Sequence, residues 1–400
     1  MTEIIERAHV RAASSDDAAP QRAIHSTSAA IALDTVPVGD WRALSRASLE
    51  PNGYYLPDWE RAVNASARGR TDVSALCAFG DAPAPALIGL MPVTSLWRAY
   101  TLPLPALVSG HPYGTLCTPL LDRTMSDAAA TRLLQAARAS GAHALVLRDV
   151  ALDGVTMGAI ATALGRDGLR LRMLQFYERA CLDATRDGDE VLHEALGGKK
   201  LKELRRQRHR LAEHGAVDFA VARNPGEVAA ALETFLELEA SGWKRRRGTA
   251  LIQHEGDAAF IRRATSALAE TNQCEIVTLR AGDSAIAAGI VLRHQGRAFF
   301  FKLGVDERFA KYSPGVQLTL DLTRHLCADP AITSADSTAG PDHPMINPIW
   351  RGRFAIGDVL VPLYGRDPMV ELIDMALRAR RSALDLVKRG AHVVRKLRNT

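Results

Sequence analysis

Apolar residues recur along this chain at two spacings, and the switches between them predict its elements. Helical spacing covers 39–49 and 57–67, and strand-like runs follow at 73–79, 86–97 and 106–116. A helix fits 126–140, where Leu133, Leu134 and Ala137 share a face. Next come a short buried strand at 143–150, a helix at 154–164, and strands at 169–175 and 179–182. The second half repeats that order with helices at 225–240 and 257–270 and strands at 275–280, 285–294 and 297–303. The turns between those three strands, AGD and HQG, suit hairpins. A helix opening at Ser313-Pro314-Gly315, a strand at 332–336, an irregular helix at 343–350 and a strand at 358–363 complete it.

The shared order is a coarse internal repeat without sequence identity. It predicts an α/β (α+β) chain of two similar domains in tandem, each a mixed, mostly antiparallel sheet flanked by helices. The predicted divisions are a disordered N-terminus at 1–30, a first domain at 31–196 and a second at 216–365. Between the domains, GGKKLKELRRQRHRLAEHG reads as a connecting helix at 197–215. The remainder, 366–400, reads as a basic amphipathic helix broken near Gly390.

Composition narrows the function. Of 400 residues, 47% are hydrophobic and 24% charged, as in a globular protein. No apolar run is long enough for a spanning helix, and the N-terminus lacks the pattern of a secretory signal, so a cytoplasmic location is expected. Cys77, Cys117, Cys181, Cys274 and Cys327 are scattered without a CxxC, which fits reduced thiols and no metal site. Net charge is only +5, but Lys199–Arg210 holds seven Lys/Arg against one Glu. Phosphorylated partners or an anionic membrane surface therefore enter consideration, against the plainer reading of a solvated helix face.

The stretch FKLGVDERFAKYSPGVQL carries the sharpest chemical signal. An aromatic strand ends at Lys302 and Leu303, and Ser313-Pro314-Gly315-Val316-Gln317 opens a helix with no acid in its first turn. Backbone N–H groups at a helix start lack intrahelical partners, and the macrodipole there favours an anion such as a pyrophosphate. Proline fits the first helical position and glycine allows close approach. The plainer alternative is an ordinary Ser cap followed by proline.

Together these features resemble the GNAT acyltransferase fold. The segments Leu238-Glu239-Ala240-Ser241-Gly242-Trp243-Lys244, Arg247-Gly248-Thr249-Ala250-Leu251, KLGVDERFAKYSPGVQL and DSTAGPDHPMINPIW look like the CelD-like (cellulose biosynthesis) members of that superfamily. The layout of two such units is similar to FemAB-type transferases. This resemblance implies acyl transfer from acyl-CoA, most simply acetyl-CoA, to an amine or hydroxyl. The FemAB likeness implies an aminoacyl-tRNA donor as the alternative, and a non-catalytic scaffold for polysaccharide synthesis is the third reading.

By resemblance, the pyrophosphate of coenzyme A would meet Ser313, Gly315, Val316 and Gln317, and the thioester would lie by Lys302 and Leu303. Asp336, Glu239 and His343 are the candidate bases, with Asp336 preferred because it ends the strand after the phosphate helix. Tyr312 either protonates the leaving thiolate or packs its ring. Glu239, Trp243 and Lys244 fall where the acceptor would sit: Trp243 either stacks on a sugar or folds onto the core, and Lys244 meets a phosphate. The first half has LVSGHPYGTLCTPLLD in the equivalent position, without a clear helix start for an anion, and is expected to have a structural or acceptor-shaping role. A saccharide or other small-molecule acceptor is the expected partner. The basic helices would rest on the inner face of a membrane or on a phosphorylated carrier, and nucleic acid is the weaker possibility, since few aromatics stand near the basic run.

Overall fold

The computed structural model describes residues 28–69, 73–81, 85–110 and 113–398, with side chains described throughout except at 243, 244, 385 and 387–398. The first half runs β1 (Ser28–Ala32), α1 (Val38–Ala47), α2 (Pro57–Ser66), β2 (Ser74–Phe79) and β3 (Leu87–Ser95). It continues with α3 (Leu96–Tyr100), β4 (Ala106–Ser109), β5 (Leu120–Leu121), α4 (Ser126–Ala139) and β6 (Ala144–Ala151). Then come α5 (Val155–Arg166), β7 (Arg172–Asp183) and α6 (Gly188–Leu211). The second half runs β8 (Val217–Ala222), α7 (Pro225–Ser241), α8 (Trp243–Arg246), α9 (Glu255–Glu270), β9 (Cys274–Ala281) and β10 (Ser284–His294). It closes with β11 (Arg297–Val305), α10 (Pro314–Ala328), β12 (Ser334–Asp336), β13 (Gly352–Pro362) and α11 (Pro368–Arg398).

All strands join one sheet in the order β1-β2-β3-β4-β6-β13-β7-β12-β11-β10-β9-β8, with β5 pairing β3 at the side. Only β4/β6 and β11/β12 are parallel. The order is a near-palindrome of the two halves. Each half builds strands in the same succession, but its last strand crosses to the other: β13 pairs with β6, and β7 pairs with β12. The long antiparallel β7/β13 ladder forms the centre. The repeat visible in the sequence is thus closed by mutual strand exchange, so neither half completes its sheet alone.

Several expectations change. The strands at 169–175 and 179–182 are one, β7, and the final strand starts earlier, at Gly352. Of 106–116 only Ala106–Ser109 is a strand, and α3, β1 and β8 were not foreseen. Residues 28–30 of the segment expected to be disordered pair with β2, and 1–27 lie outside the described residues. The connecting helix begins at Gly188 and breaks at Gly197, whose φ of 70° only glycine adopts readily. Residues 343–350 form turns, and α11 continues through Gly390.

The largest core joins the halves. Trp59 of α2 packs edge-on against Phe260 of α9 (5.0 Å) and Phe301 of β11 (4.9 Å), while Tyr54 meets Phe299 at 5.7 Å. Gly53 lets this segment press on β11, for a Cβ there would stand 2.9 Å from the Phe299 ring. His294, 3% exposed, adds a polar tie: its Nδ1 accepts the Asn52 N–H at 2.8 Å and its Nε2–H donates to the Ser45 carbonyl at 2.9 Å. Both contacts suit the neutral ring, and burial pushes its pKa down to about 4.

A depressed histidine pKa means that the unfolded chain takes up its proton first as pH falls. His294 therefore supplies stability above the ordinary value of 6.5 that is lost progressively as pH falls to about 4. The loss should reach up to about 3 kcal/mol. Urea unfolding across this range should show a shallower acid-side decline in His294→Gln than in the unaltered protein. Parallel declines would contradict it.

Candidate active site

The parallel strands β11 and β12 stay together for only three registered pairs, ending at Phe299↔Asp336. Beyond that point they diverge. On its other edge β11 bulges at Phe301, because the register with β10 passes from Lys302↔Ile290 to Phe300↔Val291. Thr338, with φ of 53°, donates its Oγ1–H to the Phe300 carbonyl at 2.7 Å and clips the base of the opening. The opening is a cavity of about 320 Å³ lined by Phe300, Lys302, Leu303, Thr338, His343 and Met345, among others.

The start of α10 abuts this cavity. Ser313 sits in the left-handed region (φ 55°, ψ 53°), its side chain caps nothing, and the first turn holds no acid. Pro314 has no N–H, and the first intrahelical bond runs from the Gln317 N–H to the Ser313 carbonyl at 3.0 Å. The amides of Gly315 and Val316 thus have no acceptor within the helix. A Cβ on Gly315 would lie 3.1 Å from Leu303 Cδ2 and Met345 Sδ, both on cavity residues, so glycine lets the helix start close against the cavity wall.

Lys302 faces the other side of the sheet. Gly304 admits α7 directly onto β11, since a Cβ there would be 2.9 Å from the Glu239 backbone nitrogen. The buried Glu239 accepts the Leu251 N–H at 2.9 Å, and its other oxygen lies 3.5 Å from Lys302 Nζ. It positions Lys302 and the 251 segment, and does not stand open as an acceptor contact. Trp243 and Lys244 have backbone in α8, but their side chains lie outside the described residues.

Three expected roles are corrected. Asp336, 1% exposed, is sealed in an ion pair with Arg179 of β7 and also accepts the Thr338 N–H at 2.8 Å. It does not line the cavity, and it ties β12 to the exchanged strand. Gln317 spends its side-chain amide on the Leu204 carbonyl of α6 at 2.9 Å and is buried, which removes it from cofactor contact. Tyr312 packs into the core under α6, with its hydroxyl 3.0 Å from His214 Nε2, and does not line the cavity.

His343 remains in the cavity. Its Nδ1 accepts N–H groups of Met345 and Ile346, each at 3.4 Å. Burial lowers its pKa, so the ring is neutral at physiological pH. With Nδ1 as acceptor, the proton of the neutral ring is on Nε2. Sequence reasoning missed Arg179, Thr338 and Met345. A single arginine inside the run Tyr177–Leu182 was the one available signal, since a lone cation in a strand calls for a counter-charge.

Residues 198–343 match the family model described as acetyltransferase (GNAT) domain. No curated protein matches the chain. Among solved structures, the C-terminal domain of a candidate lysylphosphatidylglycerol synthetase from Agrobacterium fabrum is similar at TM-score 0.53 and 14% identity, covering 85% of this chain and 95% of that one. FemX is similar at TM-score 0.53 and 11% identity, covering 85% and 98% respectively. A protein of unknown function from Bacteroides thetaiotaomicron follows at TM-score 0.51 and 10% identity, covering 82% and 98%. At these identities the likeness is one of fold.

Removing one partner of the Arg179–Asp336 pair strands a buried charge. Asp336→Leu should cost about 3–5 kcal/mol. The double variant Arg179→Met/Asp336→Leu should recover most of that loss. A double-mutant cycle in urea checks this, and a single-variant cost near zero would contradict the anchor role.

Proposed function

We propose, from the premise of a GNAT-fold acetyltransferase domain within 198–343, that the chain moves an acyl group, most simply acetyl, from acyl-CoA to an amine or hydroxyl. The observation that carries this reading is the opening between β11 and β12 with an uncapped helix start against its wall. The pyrophosphate would accept from the Gly315 and Val316 amides, and the pantetheine arm would run into the apolar cavity. The thioester would lie near Lys302 and Leu303. There the His343 Nε2–H would donate to the carbonyl oxygen as it gains charge, with no proton transfer to the ring. A neutral donor suits an oxyanion, and the ring's depressed pKa keeps it neutral. The acceptor would approach from the Lys302–Glu239 side. Attack by the amine or hydroxyl would form the C–N or C–O bond and break the thioester C–S bond, and the departing coenzyme A thiolate would take up the proton the acceptor loses; no side-chain base is assigned, because positioning supplies much of the rate.

The finer expectation of a CelD-like role in polysaccharide or cell-envelope synthesis rests on the segments of sequence resemblance alone. A second donor class, aminoacyl-tRNA, is favoured by one observation. Lys199, Lys202, Arg205, Arg206 and Arg210 on α6 are all exposed, and none is in an ion pair among the described residues. That reading predicts salt-sensitive tRNA binding that weakens when Arg205 and Arg206 are neutralised.

Two substitutions test the acyl-CoA reading. Gly315→Asp, which adds bulk and negative charge at the helix start, should abolish acyl-CoA binding in a protein that still unfolds cooperatively. His343→Ala should lower kcat by about 10²–10³ with KM little changed. His343→Gln, which keeps an N–H donor, should restore a large part of it. Equal loss in both His343 variants would identify proton abstraction and sink the donor role.

A further inference from the structure

A second cavity, of about 500 Å³, lies between α3, α11 and the face of β6, β13 and β7, so that both halves contribute to it. Its wall is fixed, because Val370, Ile373 and Leu377 of α11 are buried against Leu96, Val146 and Leu360. Four guanidinium groups line it, those of Arg148, Arg378, Arg380 and Arg381, against one carboxylate, Asp358. Arg378 is answered by Asp374 at 2.7 Å, and Arg381 donates to the Leu174 carbonyl at 2.8 Å. Asp358 spends one oxygen on the Asp149 N–H at 2.9 Å, and a single carboxylate stands against the charge of Arg148 and Arg381.

Arg148 and Arg380 are different. Neither guanidinium has a hydrogen bond or ion pair among the described residues, and Arg148 Nε is buried without a partner. Both instead lie over the Tyr100 ring, at 5.8 Å and 4.3 Å from its centroid. Arg148 is largely buried with Asp149 and Asp358 as charge neighbours, yet its guanidinium donates to neither among the described residues, so its hydrogen-bonding capacity is unspent. Two free planar forks beside one ring match the oxygens of a phosphate group, which guanidinium binds in bidentate fashion. The volume is that of a small-molecule site.

We infer that this cavity is a phosphate-binding site, separate from the acyl-donor cavity, for a ligand carrying a diphosphate or a phosphodiester. Arg148 and Arg380 are its principal contacts. Leu384, 43% exposed on the lining, and the neighbouring Met173, 47% exposed, give the rim an apolar edge that suits a lipid headgroup as well as a soluble phosphate ester. The shared chemistry is the phosphate.

The test uses the full chain carrying Gly315→Asp, so that phosphate binding at the start of α10 does not contribute. Calorimetry with inorganic pyrophosphate, and sedimentation with phosphatidylglycerol against phosphatidylcholine vesicles, read the two sources. Binding in either arm should weaken about tenfold or more in Arg148→Gln/Arg380→Gln. The control Arg61→Gln/Arg263→Gln, which removes the same charge from exposed positions elsewhere, should change it little. Pyrophosphate binding assigns a soluble ligand, and binding confined to phosphatidylglycerol assigns a headgroup. Ligand-free Arg148→Gln/Arg380→Gln should still unfold cooperatively, so that lost binding is not lost folding. Absence of binding in both arms, or equal weakening in the control, would overturn the site.

Discussion

The ion pair between Arg179 and Asp336 determines where β12 ends, and the rest of the candidate site follows from that ending. Arg179 comes from β7, a strand that the first half contributes to the second. Its guanidinium draws the last residue of β12 toward β7, and the chain beyond it turns away from β11 through Thr338. The parallel pair therefore opens after Phe299, and the aromatic strand that continues past it gains a cavity on its free edge. Strand exchange and active-site formation are, on this account, one structural event.

The same geometry separates two environments around β11. Phe299 and Phe301 face the core shared with α2, α7 and α9, while Phe300, Leu303 and Val305 face α10 and α6. The cavity touches both sets. His343 sits there with a lone pair already engaged by two backbone amides, so its environment selects both tautomer and charge.

Much of this was legible in the sequence, for identifiable reasons. The Ser313-Pro314-Gly315 start was readable because capping chemistry is local, and the repeated order of elements was readable because periodicity reports buried faces. Strand exchange was not. Alternation along β7 and β13 shows which residues face inward, but not which strand lies alongside. Asp336 was misread for the same reason: its partner Arg179 is 157 positions away, and without it the carboxylate looks free. His343 lines the cavity with its Nδ1 facing the amides of Met345 and Ile346, a contact that sequence spacing does not reveal. Gln317 looked like part of the anion turn, yet the side of α10 it occupies faces Leu204.

The central claim is that the opening between β11 and β12 is an acyl-CoA site. Calorimetric titration of the purified chain with acetyl-CoA, alongside dephospho-CoA and tRNA, tests it most directly. The account predicts saturable one-to-one binding of acetyl-CoA in the micromolar range. A folded protein that binds tRNA and no acyl-CoA would contradict it and assign the donor to the aminoacyl class, and binding of neither would leave the opening without a donor.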